Sequence, residues 1–135
     1  MGSQRNDRGS FAVEMVFITP AVLLILALVA VGGRMASAHG EVEGAARDAA
    51  RAASLSRGDA RADALAAAEA VITNDSQHCV GGPKVSLDHD PVVGQPVVAT
   101  VTCTVQLTGL GLPSIANRSV TATVAAPVDQ YVAPR

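Results

Sequence analysis

Arg8-Gly9-Ser10-Phe11-Ala12-Val13-Glu14-Met15-Val16-Phe17-Ile18-Thr19-Pro20-Ala21-Val22-Leu23-Leu24-Ile25-Leu26-Ala27-Leu28-Val29-Ala30-Val31-Gly32-Gly33 is the stretch on which the reading of this chain turns. It carries no charge from Met15 to Gly33, and a helix needs about 20 apolar residues to cross a bilayer. The run therefore reads as a membrane-spanning helix. One carboxylate, Glu14, sits just inside its amino-terminal end, five residues after Gly9. An ionisable group at such a place is costly, which makes it a functional candidate by default. The bland alternative is a carboxylate that snorkels to the interface.

Upstream, residues 1–9 have no apolar periodicity and form a polar leader with Arg5 and Arg8. By the positive-inside rule the leader lies in the cytoplasm and the carboxyl side of the span lies outside. Pro20 interrupts the run. An interior proline costs about 3 kcal/mol in water, but in a bilayer neighbours and local adjustment can satisfy the freed carbonyl. A kink near residues 16–20 is expected, within an unbroken span. Gly32 and Gly33, with Ala36 and Ser37 four residues on, form small-xxx-small pairs that let helices approach closely. They are equally well read as residues at a membrane exit.

Downstream, the helical pattern continues. Met35, Ala38, Val42, Ala45, Ala49 and Ala52 recur at three and four residues and mark one helix face. Arg34, Glu41, Glu43, Arg47, Asp48 and Arg51 lie opposite, with Glu43 and Arg47 at the favourable i, i+4 spacing. The apolar stripe is narrow and mostly alanine, which suits contact with another helix better than filling a deep core. One helix is predicted from Phe11 to Ala53. Gly58 stops it, and Asp59 caps a second helix over residues 60–73 whose apolar face holds Leu65, Ala68 and Ile72. Gly81-Gly82-Pro83 is a turn.

From Lys84 the period changes to two. Val97, Ala99, Val101, Cys103, Val105 and Leu107 occupy one face, and Val98, Thr100, Thr102, Thr104 and Gln106 the other. Shorter strands flank this one at residues 85–89 and 119–125, the latter with Val120, Ala122 and Val124 on one face. Asp90-Pro91 and Gly94 turn between the first two strands, and residues 109–117 loop between the last two. The fold class is α+β: a long amino-terminal helix, a second short helix, and a head with a three-stranded antiparallel sheet. The chain divides into a leader (1–9), the membrane half of the long helix (10–33), its extracytoplasmic half (34–57) and the head (58–135).

Composition narrows the function. Hydrophobic residues make up 49% of the 135 residues but aromatics only 2%, so alanine and valine must supply the core, and each buries little area. The net charge of −2 offers no basic stripe for nucleic acid. No phosphate loop and no Ser/His/Asp or Cys/His order stands out, so no enzyme and no cofactor is expected. His78-Cys79 and Asp88-His89-Asp90 lack metal-ligand spacing and read as turn residues; no metal site is expected. His39 lies on the polar side of the long helix. Arg57-Gly58-Asp59 spells an adhesion tripeptide that a short interhelix turn would also produce, and Asn117-Arg118-Ser119 matches a glycosylation sequon. Leu110, Leu112 and Ile115 either form a subunit contact or cap the sheet.

Cys79 and Cys103 are either a disulfide or two buried thiols; delivery to an oxidising compartment favours the bond. It would tie the loop between helix and sheet onto the sheet and stabilise a small core by about 2–4 kcal/mol.

Gly9, then Ser10, then Glu14 as the fifth residue after the glycine, then an uncharged span, resembles the class III signal of type IV prepilins. The form Arg-Gly-Ser-Phe-Ala-Val-Glu-Met, with Pro20 six residues after Glu14, is especially similar to TadE-like minor pilins, or pseudopilins, of tight-adherence (Tad) pilus systems. Pro127-Val128-Asp129-Gln130-Tyr131 resembles the tail of that family. The resemblance implies a pilin-like fold and cleavage between Gly9 and Ser10 by a membrane prepilin peptidase. It also implies pairing of Glu14 with a positive amino terminus during assembly. The implied partners are the peptidase, other major and minor pilins, the assembly platform in the membrane, and the bilayer itself. Serine stands where type IVa pilins have phenylalanine, which leaves amino-terminal methylation open. Met15 replaces the tyrosine common in major Tad pilins, and the large head also argues against a major pilin.

Two other readings compete. Ala36-Ser37-Ala38 resembles a general signal peptidase site before His39, which would release a secreted domain. A bitopic protein that only tethers its head is the third. Both leave the Gly9 to Glu14 pattern unexplained.

Overall fold

The computed structural model describes residues 8–75, 79–105 and 117–129. Helix α1 runs Arg8–Leu55, α2 Ala60–Asp75, and three strands follow, β1 Lys84–Leu87, β2 Pro96–Val105 and β3 Arg118–Pro127. The architecture is α+β, with a long apolar amino-terminal helix, a short second helix and an antiparallel sheet of order β1-β2-β3. Two compact units divide the chain, residues 1–34 and residues 35–135.

In the first unit, α1 is exposed from Val13 to Leu26 and again at Leu28 and Val29, including Phe17 and Leu24, with Ala27 half-buried. An apolar surface of this extent is stable only in a nonpolar surrounding. The helix is long and apolar enough to cross a membrane. Pro20 lies within it without ending it. Just before the proline, the Thr19 hydroxyl donates to the Met15 carbonyl at 2.7 Å.

In the second unit, the remainder of α1 packs into the head. Ala38, Val42, Ala45, Ala46, Ala49, Ala50 and Ala53 join one buried cluster with Ala60, Ala64, Ala68 and Ile72 of α2 and the inner face of the sheet. The buried band of α1 is wider than the sequence stripe. Ala46, Ala50 and Ala53 are fully buried, whereas Met35 and Ala52 are half-buried. This face belongs to the head's own core. Alanine lets two helices and a sheet approach closely where larger side chains would hold them apart.

The turn after α1 closes with the Ser56 N–H on the Ala53 carbonyl at 3.2 Å. Asp59 then caps α2: its Oδ1 accepts from the Arg61 and Ala62 N–H groups at 3.0 and 3.1 Å, satisfying donors left orphaned in a first helical turn. Along α2, Ala60, Ala64, Ala68 and Ile72 are buried, but Leu65 is 39% exposed. The expectation for Leu65 was wrong. The inward stripe steps by four residues through Ala60, Ala64, Ala68 and Ile72, and Leu65 lies beside it.

In the sheet, β2 alternates as its pattern of period two requires, with Val97, Ala99, Val101, Cys103 and Val105 buried. Its partners keep one register without a bulge, Ala99 opposite Leu87 on one side and Val124 on the other. Thr100 meets Thr123 and Thr102 meets Thr121 on the outer face, each pair with hydroxyls 3.1 Å apart. The first and third strands begin one residue earlier than the sequence suggested; β1 ends two residues earlier and β3 two residues later. Gly81 and Gly82 turn with φ of 81° and 78°, a conformation that favours glycine. Leu107, Leu110, Leu112 and Ile115 lie outside the described residues.

Candidate functional site: the anchoring helix and its head

Gly9 and Ser10 lie in the first turns of α1, and Glu14 follows about one turn later, exposed on a helix that carries no further charge until Arg34. The carboxylate thus stands at the polar boundary of the apolar segment. Within a bilayer such a group is stabilised by a cation, because attraction between opposite charges strengthens as the dielectric falls. No basic side chain from Val13 to Gly33 can supply that cation.

Pro20 has no N–H to give the Val16 carbonyl, and the Thr19 hydroxyl serves Met15 instead. Met15, Val16, Thr19, Pro20 and Leu23 line a shallow apolar groove of about 430 Å³ there. Thr19 carried no signal in the sequence reading. A threonine directly before a helical proline is the cue that could have drawn attention to it.

Gly32 and Gly33 are exposed, and a Cβ built on either would meet nothing within 4 Å. Ala36 and Ser37 are exposed as well, with the Ser37 hydroxyl 3.5 Å from the Glu41 carboxylate. Among the described residues nothing packs on Gly32 or Gly33 closely enough to require glycine there.

In the head, a disulfide joins Cys79 and Cys103, with Cα atoms 5.4 Å apart. Cys79 forms an isolated bridge with Val105, and the Val80 N–H donates to the Thr104 carbonyl at 2.8 Å. The segment ahead of β1 is thereby fastened to the end of β2. Cys103 is 3% exposed and belongs to the core.

Asp88 follows β1 directly. Its Oδ1 accepts the Val98 N–H at 3.0 Å and the His89 N–H at 2.9 Å, and the Asp88 N–H donates to the Val98 carbonyl at 3.1 Å. The Val98 N–H, and then His89, hold this carboxyl below the usual carboxylate range against the opposing effect of desolvation. The hairpin role of Asp88 was missed in sequence, where Asp88-His89-Asp90 read only as a turn.

Other motifs resolve more simply. In Arg57-Gly58-Asp59 the aspartate is committed to capping α2. Asn117 and Ser119 of the sequon are exposed. His39 is exposed on α1. Among the described residues no three His, Cys, Asp or Glu side chains gather as a metal site; His78 lies outside them.

These features define a class: an α+β head built on the far half of one long helix, whose near half is fit to cross a membrane. Residues 9–51, which lie within α1 and cover about a third of the chain, match the model of the family described as TadE-like protein. The family is pilin-like and structural. No curated protein and no solved structure matches the chain.

Proposed function

We propose that the chain is a minor pilin or pseudopilin of a Tad-type pilus, cleaved after Gly9 by a prepilin peptidase and taken up during pilus assembly or initiation. The observation that carries this reading is the family match beginning at Gly9, on a helix whose first apolar turns hold one uncompensated carboxylate, Glu14. Cleavage would create an ammonium at Ser10, the cation that Glu14 lacks in its own span. Paired with that terminus on a neighbouring subunit, Glu14 sets the axial position at which the helix enters the filament. The exposed Gly32, Gly33, Ala36 and Ser37 support close packing against other pilins. The head then remains on the extracytoplasmic side.

Release by a general signal peptidase fits less well. Ala36-Ser37-Ala38 lies within α1, and Ala38 is 1% exposed in the head's core. A cut before His39 would sever the helix where it packs.

Amino-terminal sequencing of the mature protein from membranes and from sheared pili tests the reading. Ser10 as first residue is the expected result. An intact Met1 leader, or a start at His39, overturns it.

A further inference from the structure

Hydrogen bonds at the two ends of β2 fix which way its backbone groups point. The Asp88 N–H donates to the Val98 carbonyl and the Val80 N–H to the Thr104 carbonyl. Even-numbered residues of β2 therefore turn N–H and C=O toward β1. Backbone groups alternate sides along an antiparallel strand, so those of Val97, Ala99, Val101, Cys103 and Val105 turn toward β3. Their register partners are Ala126, Val124, Ala122, Val120 and Arg118. The residues between these partners, Ser119, Thr121, Thr123 and Ala125, consequently point N–H and C=O away from β2. Strand β3 ends the sheet order, and among the described residues no further backbone bond engages that edge.

Edge strands are normally guarded by shortness, charge, a bulge or a proline. The other edge, β1, is short and opens on Lys84. β3 is long, keeps one register with β2 without a bulge, and has neither charge nor proline between Arg118 and Pro127. Its edge is also self-complementary. With two copies antiparallel about a twofold axis at Ala122, Ser119 faces Ala125 of the second copy and Thr121 faces Thr123. Every outward N–H from Ser119 to Ala125 then meets a carbonyl. Moving the axis to Thr123 would set Ser119 against Pro127, which has no N–H to return. With the axis at Ala122, the threonines extend across the seam the hydroxyl pairing already present in Thr100–Thr123 and Thr102–Thr121, a stabilising kind of cross-strand contact. On the inner face Val120 meets Val124, and the half-buried Val124 and Ala126 at the margin of the core gain cover. Arg118 falls opposite Ala126, so like charges stay apart. We propose that β3 is a docking edge for a second copy of this chain, joining two heads into one continuous sheet. Such a contact is closed, since each copy spends its edge on the other. It does not rest on the pilus reading, because all its residues lie in the head.

The test uses the full chain in detergent micelles, with mass read by sedimentation equilibrium and edge amides by hydrogen exchange in nuclear magnetic resonance. A two-copy mass is expected for the wild type. Thr121→Lys combined with Thr123→Lys sets lysine against lysine across the axis and should leave single copies. In these the Ser119 and Ala125 N–H groups should exchange many-fold faster, while those of Val120, Ala122 and Val124 keep their protection. Thr121→Lys combined with Thr123→Glu sets opposite charges face to face and should recover the two-copy mass. Circular dichroism and an intact Cys79–Cys103 bond check that each variant is folded. If the double-lysine chain does not fold, Thr123→Pro takes its place, since it removes an outward N–H and spares the ladder to β2. A single-copy mass for the wild type overturns the proposal. So does a two-copy mass that survives in the folded double-lysine or proline variant, which would put the contact elsewhere, the membrane helix included. Edge amides as slow in single copies as in pairs would show the edge covered within its own chain, and overturn it too.

Discussion

Cys79 and Cys103 stand 5.4 Å apart at their Cα atoms and are covalently joined, although 24 positions separate them in the chain. The bond closes the segment that contains β1 and its hairpin turn onto the buried face of β2. Because the core is mostly alanine and valine, this crosslink is a large share of what holds the head together.

Its removal is therefore expected to be costly. Replacing Cys79 with serine should destabilise the head by about 3 kcal/mol, the scale for a loop of this length. Thermal unfolding followed by circular dichroism, with and without reductant, checks this. Reductant should lower the wild-type midpoint toward that of Cys79→Ser and leave the variant unchanged.

Asp88 should make stability depend on pH. Its folded-state carboxyl is held below the ordinary value, chiefly by the Val98 N–H. The stabilisation is therefore fully present above the unfolded value, near pH 4, and is lost as pH falls through the lower folded value. Asp88→Asn should flatten the acid limb of the stability profile relative to wild type. Titration of the Val98 amide resonance should track the same group.

Asp59 is expected to matter as a cap and not as a charge. Asp59→Ala should cost about 1 kcal/mol through loss of the bonds to the Arg61 and Ala62 N–H groups. Asp59→Asn retains an acceptor and should cost much less. Equal losses in the two variants, measured by denaturant unfolding, would remove capping as the cause.

Gly40 sits on an open face of α1, where an added Cβ meets nothing within 4 Å. Gly40→Ala should stabilise the isolated protein by up to about 1 kcal/mol, the propensity difference between the two residues. If the same variant lowers recovery in pili while unfolding at a higher temperature, this face is a contact with another subunit. Unchanged recovery would show that it stays free.

Glu14→Ala should leave membrane insertion intact, since the uncharged run from Met15 to Gly33 is untouched. Incorporation into pili should fall. Comparing the variant's share in membranes and in sheared filaments separates these steps, and normal incorporation would count against the assembly role of Glu14.

Much of the fold was legible because local periodicity encodes local geometry. The span, the helical continuation to the Ser54 region, the cap at Asp59 and the inward face of β2 all followed from side-chain order. They depend on neighbours in sequence, which the sequence displays. The resemblance around Gly9 and Glu14 was legible for the same reason, and the family match falls on that segment.

The alanine-rich helices were less legible. In Ala45-Ala46, Ala49-Ala50 and Ala52-Ala53 every side chain is small and apolar, so hydropathy draws no edge around the buried face. Packing decided it, burying Ala46, Ala50 and Ala53 and leaving Ala52 at the margin. Leu65 was misplaced on similar grounds: a large apolar residue looks inward by composition, yet the buried stripe of α2 runs through Ala60, Ala64, Ala68 and Ile72.

By itself, then, the sequence determined where this chain can enter a membrane, where helix gives way to strand, and which face of β2 turns inward. Tertiary structure alone decided that Asp88 holds a hairpin closed and that Cys79 lies within reach of Cys103. Those relationships join residues far apart in the chain. Their distances are set by how two helices and a sheet fit around a core of small side chains, and no period along the sequence records that fit.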